Sequence, residues 1–333
     1  MHTRNKPNTQ QRGRINRRRM LGNLLVGDAT GIADASFSSS KDLTAKVFEH
    51  LTNLAIDHGE VTGVPTGYRR LDQLTAGLQP SDLIIVAARP TMGKTAFALS
   101  IAMNAAVNNH IPVCVFSLDM SKEHLMTRML GIRARVDASR LRRPAILSDE
   151  AWNHLGCAAK ELSAAPLFID DTPALSTLEL RSRTLRIKTE HNIGLVVVDY
   201  LQLMRTNRYT SCGLEISDIP RSLNALAKEI KTPIVALSQL DRKVEHRRNN
   251  RPILTDLPDS GLIERFADVL LFIYREDLYK YKNPSERPLV GNAEIIIGKQ
   301  RNGPLGSVAL AYFAEYTTFA DKAFGTSPFL HGT

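Results

Sequence analysis

An α/β fold, with a mostly parallel sheet flanked by helices and a β-hairpin at its C-terminal end, is predicted by three features of this sequence. Short apolar runs rich in β-branched residues recur at Leu83–Ala88, Val113–Leu118, Leu167–Ile169, Leu195–Tyr200, Ile234–Ser238 and Val269–Tyr274, with helix-like stretches between them. Their hydrophobicity is near-continuous rather than alternating, the pattern of a strand covered on both faces. Two later runs, Ala293–Lys299 and Ser307–Phe313, flank the turn-forming Arg301-Asn302-Gly303-Pro304-Leu305-Gly306 and read as a hairpin.

In chain order, residues 1–38 lack hydrophobic periodicity apart from the patch Met20–Val26 and run into the serine-rich Ser36–Ser40, so a basic, disordered tail is expected. Seven of the net nine positive charges (Arg4, Lys6, Arg12, Arg14, Arg17, Arg18, Arg19) lie ahead of the first acid, Asp28, leaving the remainder at +2. Such a run can hold nucleic-acid phosphates or simply be solvated, and the residues leave both readings open. From Lys41 to His58, Leu43, Val47, Leu51, Leu54 and Ala55 recur at three- and four-residue steps, with Ser40 or Asp42 available as cap. That spacing predicts an amphipathic helix, taken as a linker over 39–58. Gly59, Gly63, Pro65 and Gly67 break it, a globular body is expected over 59–320, and 321–333 read as a loose end.

A chain of 333 residues, 43% hydrophobic and 23% charged, can bury a core without disulfides or structural metal, which excludes small stapled scaffolds and wholly disordered chains. Cys114, Cys157 and Cys212 are far apart and odd in number, which argues against a disulfide framework or a zinc site and for a reducing cytoplasm. No apolar run approaches the ~20 residues of a membrane helix, so no membrane association is expected.

Chemistry concentrates at strand ends. After the first strand stand Ala88-Arg89-Pro90-Thr91-Met92-Gly93-Lys94-Thr95, followed by a helix-like run from Phe97. Strand, loop and helix start form the context of a phosphate-binding loop, in which backbone N–H groups hold phosphates, Lys94 reaches the β- and γ-phosphates and Thr95 ligates Mg²⁺. Ala88 replaces the first glycine of the general signature. A hard Mg²⁺ also needs a carboxylate, and Asp199 at the end of Leu195–Val198 supplies one. Asp119 ends a second strand with an acid able to polarise water, and Gln239 ends a third with an amide suited to sensing a γ-phosphate. Ligands of open α/β sheets gather beyond the carboxyl ends of the strands, where these side chains would meet.

Thr62-Gly63-Val64 with Thr66-Gly67-Tyr68, the run Ala76 to Pro90, Asp199-Tyr200-Leu201-Gln202-Leu203-Met204, Ala236-Leu237-Ser238-Gln239-Leu240 and Ile296 to Pro304 carry a further signal. From about Lys41 to Phe319 the chain resembles the C-terminal motor domain of the bacterial replicative helicase DnaB. The resemblance implies a RecA-like P-loop fold, a hexameric ring and ATP-driven 5′-to-3′ translocation on single-stranded DNA. It makes Lys94 and Thr95 the phosphate and Mg²⁺ contacts, Asp199 the metal carboxylate, Gln239 the sensor and Asp119 the counterpart of a catalytic glutamate. It makes Lys299 and Arg301 residues that reach into a neighbour's ATP site, and Lys41–His58 a helix that docks on the adjacent subunit. It also places DNA contacts at Asp259 and Gly261 and near Arg242, Arg247 and Arg251, and it adds a helicase loader or a full-length helicase ring to the partners.

Departures from the family pattern matter as much. The family's N-terminal helical domain is not recognised, and the basic tail stands ahead of the linker, so a chain reduced to its motor is expected. Asp119 is one methylene shorter than the glutamate, withdrawing the carboxylate by roughly 1 Å; a misplacement of that order costs about 10²-fold in rate, so slow hydrolysis is expected. Pro258 replaces an arginine ahead of Asp259-Ser260-Gly261, removing a charge and a backbone donor. Pro220 falls in the helical run Ile216–Lys231, harmless in a first turn and costing ~3 kcal/mol in the interior. Together Asp119, Pro258 and the missing collar keep a second reading open: a catalytically weak, helicase-like protein that joins or blocks a full-length ring.

Overall fold

The computed structural model describes residues 38–57, 61–205, 218–258, 260–281 and 283–322. The basic run ahead of Asp28, the Met20–Val26 patch, Cys212, Asp259 and residues 323–333 lie outside the described residues. No described helix is long and apolar enough to cross a membrane.

The chain parts into two compact units, one up to Gly59 and one from Glu60. The first contains helix α1 (Ser40–Asp57). Its cap is Ser39, one residue before the expected Ser40: the Ser39 hydroxyl accepts from the Asp42 N–H at 3.1 Å and donates to the Asp42 carboxylate at 2.7 Å. Ser40 is already inside the helix, and a cap must stand just ahead of the first turn. Leu43, Val47 and Leu51, four residues apart, are 48%, 55% and 56% exposed along one side of it.

The second unit runs α2 (Arg69–Thr75), β1 (Leu83–Ala88), α3 (Lys94–Met103), β2 (Val113–Ser117), α4 (Lys122–Ala134), α5 (Ala138–Leu141), α6 (Asp149–Ala164), β3 (Leu167–Asp170), α7 (Thr177–His191), β4 (Leu195–Asp199), α8 (Asp218–Ile230), β5 (Ile234–Gln239), α9 (Ser260–Phe266), β6 (Val269–Tyr274), α10 (Asp277–Lys280), β7 (Val290–Gln300), β8 (Gly306–Phe313) and β9 (Thr318–Asp321). One sheet holds all nine strands in the order β3-β2-β4-β5-β1-β6-β7-β8-β9. The first six are parallel and the last three join antiparallel.

Burial explains the continuous apolar runs. β1, β2 and β4 are buried along their whole length because helices cover both faces. Successive residues of β1 point to opposite sides. Ile84 and Val86 pack with Phe97 and Leu99 of α3 and Leu125 and Met129 of α4, while Leu83 and Ile85 pack with Leu180 of α7 and Leu223 and Leu226 of α8. Each such side chain contributes about 1.5–3 kcal/mol. Burial in β7 instead alternates, as in an antiparallel strand with one wet face.

The hairpin carries a third strand that the apolar pattern does not announce. β9 takes Asp321 into the sheet, so the body extends past 320. Four residues offer too short a run for a period-2 pattern, yet Phe319 meets Phe97 edge-on at 5.6 Å and Tyr312 at 4.9 Å. Pro220 lies in α8, two residues after Asp218, the first described residue of that helix.

Candidate nucleotide-binding site

Parallel strands end on a common edge, so the segments following β1, β2, β4 and β5 gather there. β5 lies between β1 and β4, and its register sets Ala88 beside Gln239; the pairing of β2 with β4 sets Ser117 beside Asp199. Three sequence-predicted positions, Ala88, Asp199 and Gln239, are thereby brought together by backbone pairing, with Ser117 two residues before Asp119 beside them.

The loop from Ala88 to Thr95 turns sharply into α3. Thr91 has φ +70° and Gly93 φ +96°. A Cβ at Gly93 would lie 2.8 Å from Phe319 Cζ and 3.2 Å from Tyr312 Cε2, so only glycine passes. Thr95 Oγ1 donates to Asp199 Oδ2 at 2.7 Å. Lys94 Nζ stands 4.4 Å from the centre of the Tyr200 ring. Burial pushes the Lys94 ammonium pKa down, opposed by the charges of Asp199 and Asp119. Burial pushes the Asp199 carboxyl up, opposed by the Thr95 hydrogen bond and Lys94.

These groups suit a polyphosphate with its cation. Hydroxyl and carboxylate oxygens at one point are the donors a small hard divalent ion prefers, a partly desolvated ammonium stands beside them, and Gly93 keeps the loop free of a side chain. Asp119 is exposed just beyond β2, on a turn closed by Ser117 Oγ donating to the Met120 carbonyl at 2.7 Å. Its charge acts on Lys94, Asp199 and Tyr200. Gln239 is half-buried, and its backbone N–H donates to Gln202 Oε1 at 3.3 Å. Pro90 and Thr91 are exposed at the lip and Met92 is buried beneath it.

Within the loop, one long side chain turns away from the phosphate side. Arg89 is buried, donating to the Leu240 carbonyl at 2.7 Å and to Glu245 at 2.8 Å, so its guanidinium is a strut between the loop and the segment after β5. Motif spacing fixes the backbone course and leaves such a long side chain free to find an acid.

Lys299 and Arg301 occupy the other edge. Gln300 pairs with Val269, and Asp268, whose carboxylate binds Arg301 Nε at 3.0 Å, accepts the Leu83 N–H at the start of β1. Lys94 follows the end of the same strand. Six residues at ~3.3 Å each separate the two ends, so neither basic residue reaches its own chain's loop.

Of the other predicted contacts, Arg242 is exposed, Arg247 pairs with Asp256 at 2.6 Å and Arg251 with Glu294 at 2.6 Å. Gly261 is exposed in the first turn of α9, with open space where a Cβ would stand.

Sequence patterns do not reveal three participants. Arg128 on α4 acts on Asp199 and lines a cleft of about 580 Å³ with Ala96, Met120 and Tyr316; its helical position gives no sign of its direction. Tyr200 faces Lys94, and its place directly after Asp199 gives no sign that its ring turns that way. Arg275 is buried, pairs with Asp277 at 2.6 Å, lies 3.6 Å from the Tyr312 ring centre and points Nη1 at the Thr91 carbonyl, 3.5 Å away. It follows β6, whose carboxyl end shares the edge of β1, and the strand-end rule applied there would have found it.

Residues 63–321 match the family described as the DnaB-like helicase C terminal domain. The chain is 44% identical to the replicative DNA helicase DnaB of Geobacillus stearothermophilus over 86% of this chain and 62% of that one. It is 48% identical to that of Pasteurella multocida over 80% and 57%. It thus spans about three fifths of the length of these relatives. Among solved structures it resembles one described as an ATPase domain, with TM-score 0.79 and 34% identity over 86% of this chain and all of that one. It also resembles a DnaB-like replicative helicase described with its interactions with primase, with TM-score 0.76 and 34% identity over 94% and 77%. The extent of the match, together with a phosphate loop, a hydroxyl–carboxylate pair and a carboxyl-edge amide on one sheet, places the chain in the DnaB-like helicase C-terminal domain family.

Proposed function

We propose that this chain is the ATP-driven motor of a DNA helicase, running 5′-to-3′ on single-stranded DNA as a ring, six subunits in number, with ATP sites between subunits. The observation that carries this reading is the separation of Lys94 from Lys299 and Arg301 at opposite ends of β1. Two basic residues at the far edge serve a second copy's phosphates, not their own.

ATP with Mg²⁺ supplies the phosphoanhydride and neutralises phosphate charge, held by Lys94, Thr95 and Asp199. Asp119 takes the proton of the attacking water, and Gln239 responds to the γ-phosphate. A neighbour's Arg301, with Lys299, stabilises charge developing on the γ-phosphoryl, an effect on the order of 10³–10⁵ in rate. Arg242, with backbone N–H groups at Asp259 and at Gly261 in the first turn of α9, contacts DNA phosphates, giving sequence-independent, salt-sensitive binding. Arg247 and Arg251, already paired with acids, contribute less.

The exposed Leu43, Val47 and Leu51 of α1 suit an apolar groove on a neighbouring copy. Leu141, Leu147 and Trp152 line a cleft of about 340 Å³ between α4 and α6, with Trp152 53% exposed. A loader or a full-length helicase is a further partner in this reading, and a cytoplasmic setting fits it.

DNA-stimulated ATP hydrolysis and native mass, measured with ATP and oligonucleotide present, test the proposal beside Lys94→Ala. A ring hydrolysing about 10²-fold or more faster than Lys94→Ala is expected. A rate no higher than that variant's turns the reading to a helicase-like interaction protein. Full-speed turnover by a single subunit ends the shared-site proposal.

A further inference from the structure

Resting on the reading that Arg301 acts in a neighbour's ATP site, we infer that Asp268 is the positioning residue that aims it. Asp268 follows α9 and is buried. Its Oδ2 accepts from the Leu83 N–H and from Asn224 Nδ2, both at 2.9 Å, which ties it to β1 and α8. Its Oδ1 holds Arg301 Nε at 3.0 Å. The Arg301 backbone N–H donates to the Asp268 carbonyl at 3.1 Å, so one residue fixes both ends of the arginine.

Arg301 is not consumed by this clamp. A guanidinium has five N–H donors; Asp268 takes the one on Nε, Nη2 lies 3.5 Å from the Arg265 carbonyl near the end of α9, and the side chain stays 48% exposed. Nη1 and the second hydrogen of Nη2 are left for an anion on another molecule, with their direction set by Nε. An unclamped arginine would sample many rotamers and lose that direction. Lys299 is held in the same place, donating to the carbonyls of Glu264 and Ala267 around the end of α9. Helix α9 starts beside Gly261 and ends where both basic residues are gripped, so its position sets theirs.

Asp268→Asn separates aiming from folding. The amide oxygen can keep the Leu83 and Asn224 bonds, and the amide nitrogen then faces Arg301 Nε, donor against donor. Arg301 then keeps only the long Nη2 contact to the Arg265 carbonyl, at 3.5 Å, while the start of β1 stays tied. The expected loss in DNA-stimulated kcat is about 10- to 100-fold, with the KM for ATP moved less than about 3-fold.

Mixed rings exclude a merely structural effect. Lys94→Ala subunits lack a working phosphate loop but keep an aimed Arg301; Asp268→Asn subunits have the reverse. Mixed in equal amounts under exchange conditions, the two should hydrolyse ATP several-fold faster than the mean of the separate samples. A parallel mixture of Lys94→Ala with Arg301→Ala checks the underlying reading. Rescue in that mixture without rescue of Asp268→Asn, or wild-type kcat in Asp268→Asn alone, overturns the role of Asp268. Failure of the Arg301→Ala mixture overturns the shared site itself.

Discussion

At the carboxyl edge of the sheet, Lys94, Asp119, Asp199 and Gln239 stand at or within a few residues of the ends of strands buried along almost their whole length, and neighbouring strands lock their register. At the amino edge, Lys299 near the end of an antiparallel strand and Arg301 just past it are gripped by carbonyls at and just beyond the end of a seven-residue helix and by one buried carboxylate. Backbone pairing thus sets the residues at the carboxyl edge, and side-chain clamps set those at the amino edge, the other half of the proposed shared site. Changes at the amino edge should alter turnover with little effect on folding, whereas changes at the carboxyl edge reach into the core.

The sharpest break of that contrast is Arg301→Ala. Half its side chain faces water, so the melting temperature should barely move, while DNA-stimulated turnover falls on the order of 10³-fold if a neighbour's γ-phosphoryl depends on it. Steady-state kinetics beside a thermal melt checks this; a large melting loss would make Arg301 a structural residue.

Next in size is Asp119→Glu. The exposed position beyond β2 has room for a methylene, and an advance of roughly 1 Å should raise kcat by up to about 10²-fold. An unchanged rate in single-turnover measurements would place the limiting step elsewhere.

A smaller effect is expected at the point where the C-terminal strands touch the phosphate loop. Gly93→Ala puts a methyl against the Phe319 ring at a left-handed φ. Destabilisation of about 1–3 kcal/mol is expected, with loss of nucleotide-induced stabilisation, both read by melting with and without ATP. Retention of that nucleotide shift would show that the aromatic wall yields.

What is legible in the sequence follows the same division. The parallel strands and the strand-end residues can be read because burial on both faces writes continuous apolar runs, and each run ends where its side chain is used. Arg128 and Asp268 cannot be placed that way: what each does depends on which neighbour a long or charged side chain meets across the fold. Strand β9 is invisible for lack of length, and the motif says nothing of where the Arg89 guanidinium goes because it fixes only the backbone. Ser39 and Ser40 cannot be told apart as caps because adjacent serines offer the same chemistry.

The smallest effect, and the one that probes the amino edge by charge, is at Asp82. Burial, and then the charge of Asp268, raise its carboxyl to about 6 from the usual 3.8, against the pull of Arg301 and Lys228. The native state therefore binds this proton more tightly than the unfolded chain does. Stability from this group is full below pH 4 and is lost as pH rises through 6, above which the folded protein carries an ill-placed anion. Two units would correspond to ~3 kcal/mol, but the group is half in water, so about 1 kcal/mol is the expected size. Asp82→Asn should raise the melting temperature by about 2 °C at pH 8, and the gain should vanish by pH 4. A fall at pH 8 would mean that Asp82 helps Asp268 hold Arg301 more than its own burial costs, and the amino edge would then have two acids, not one, steering its arginine.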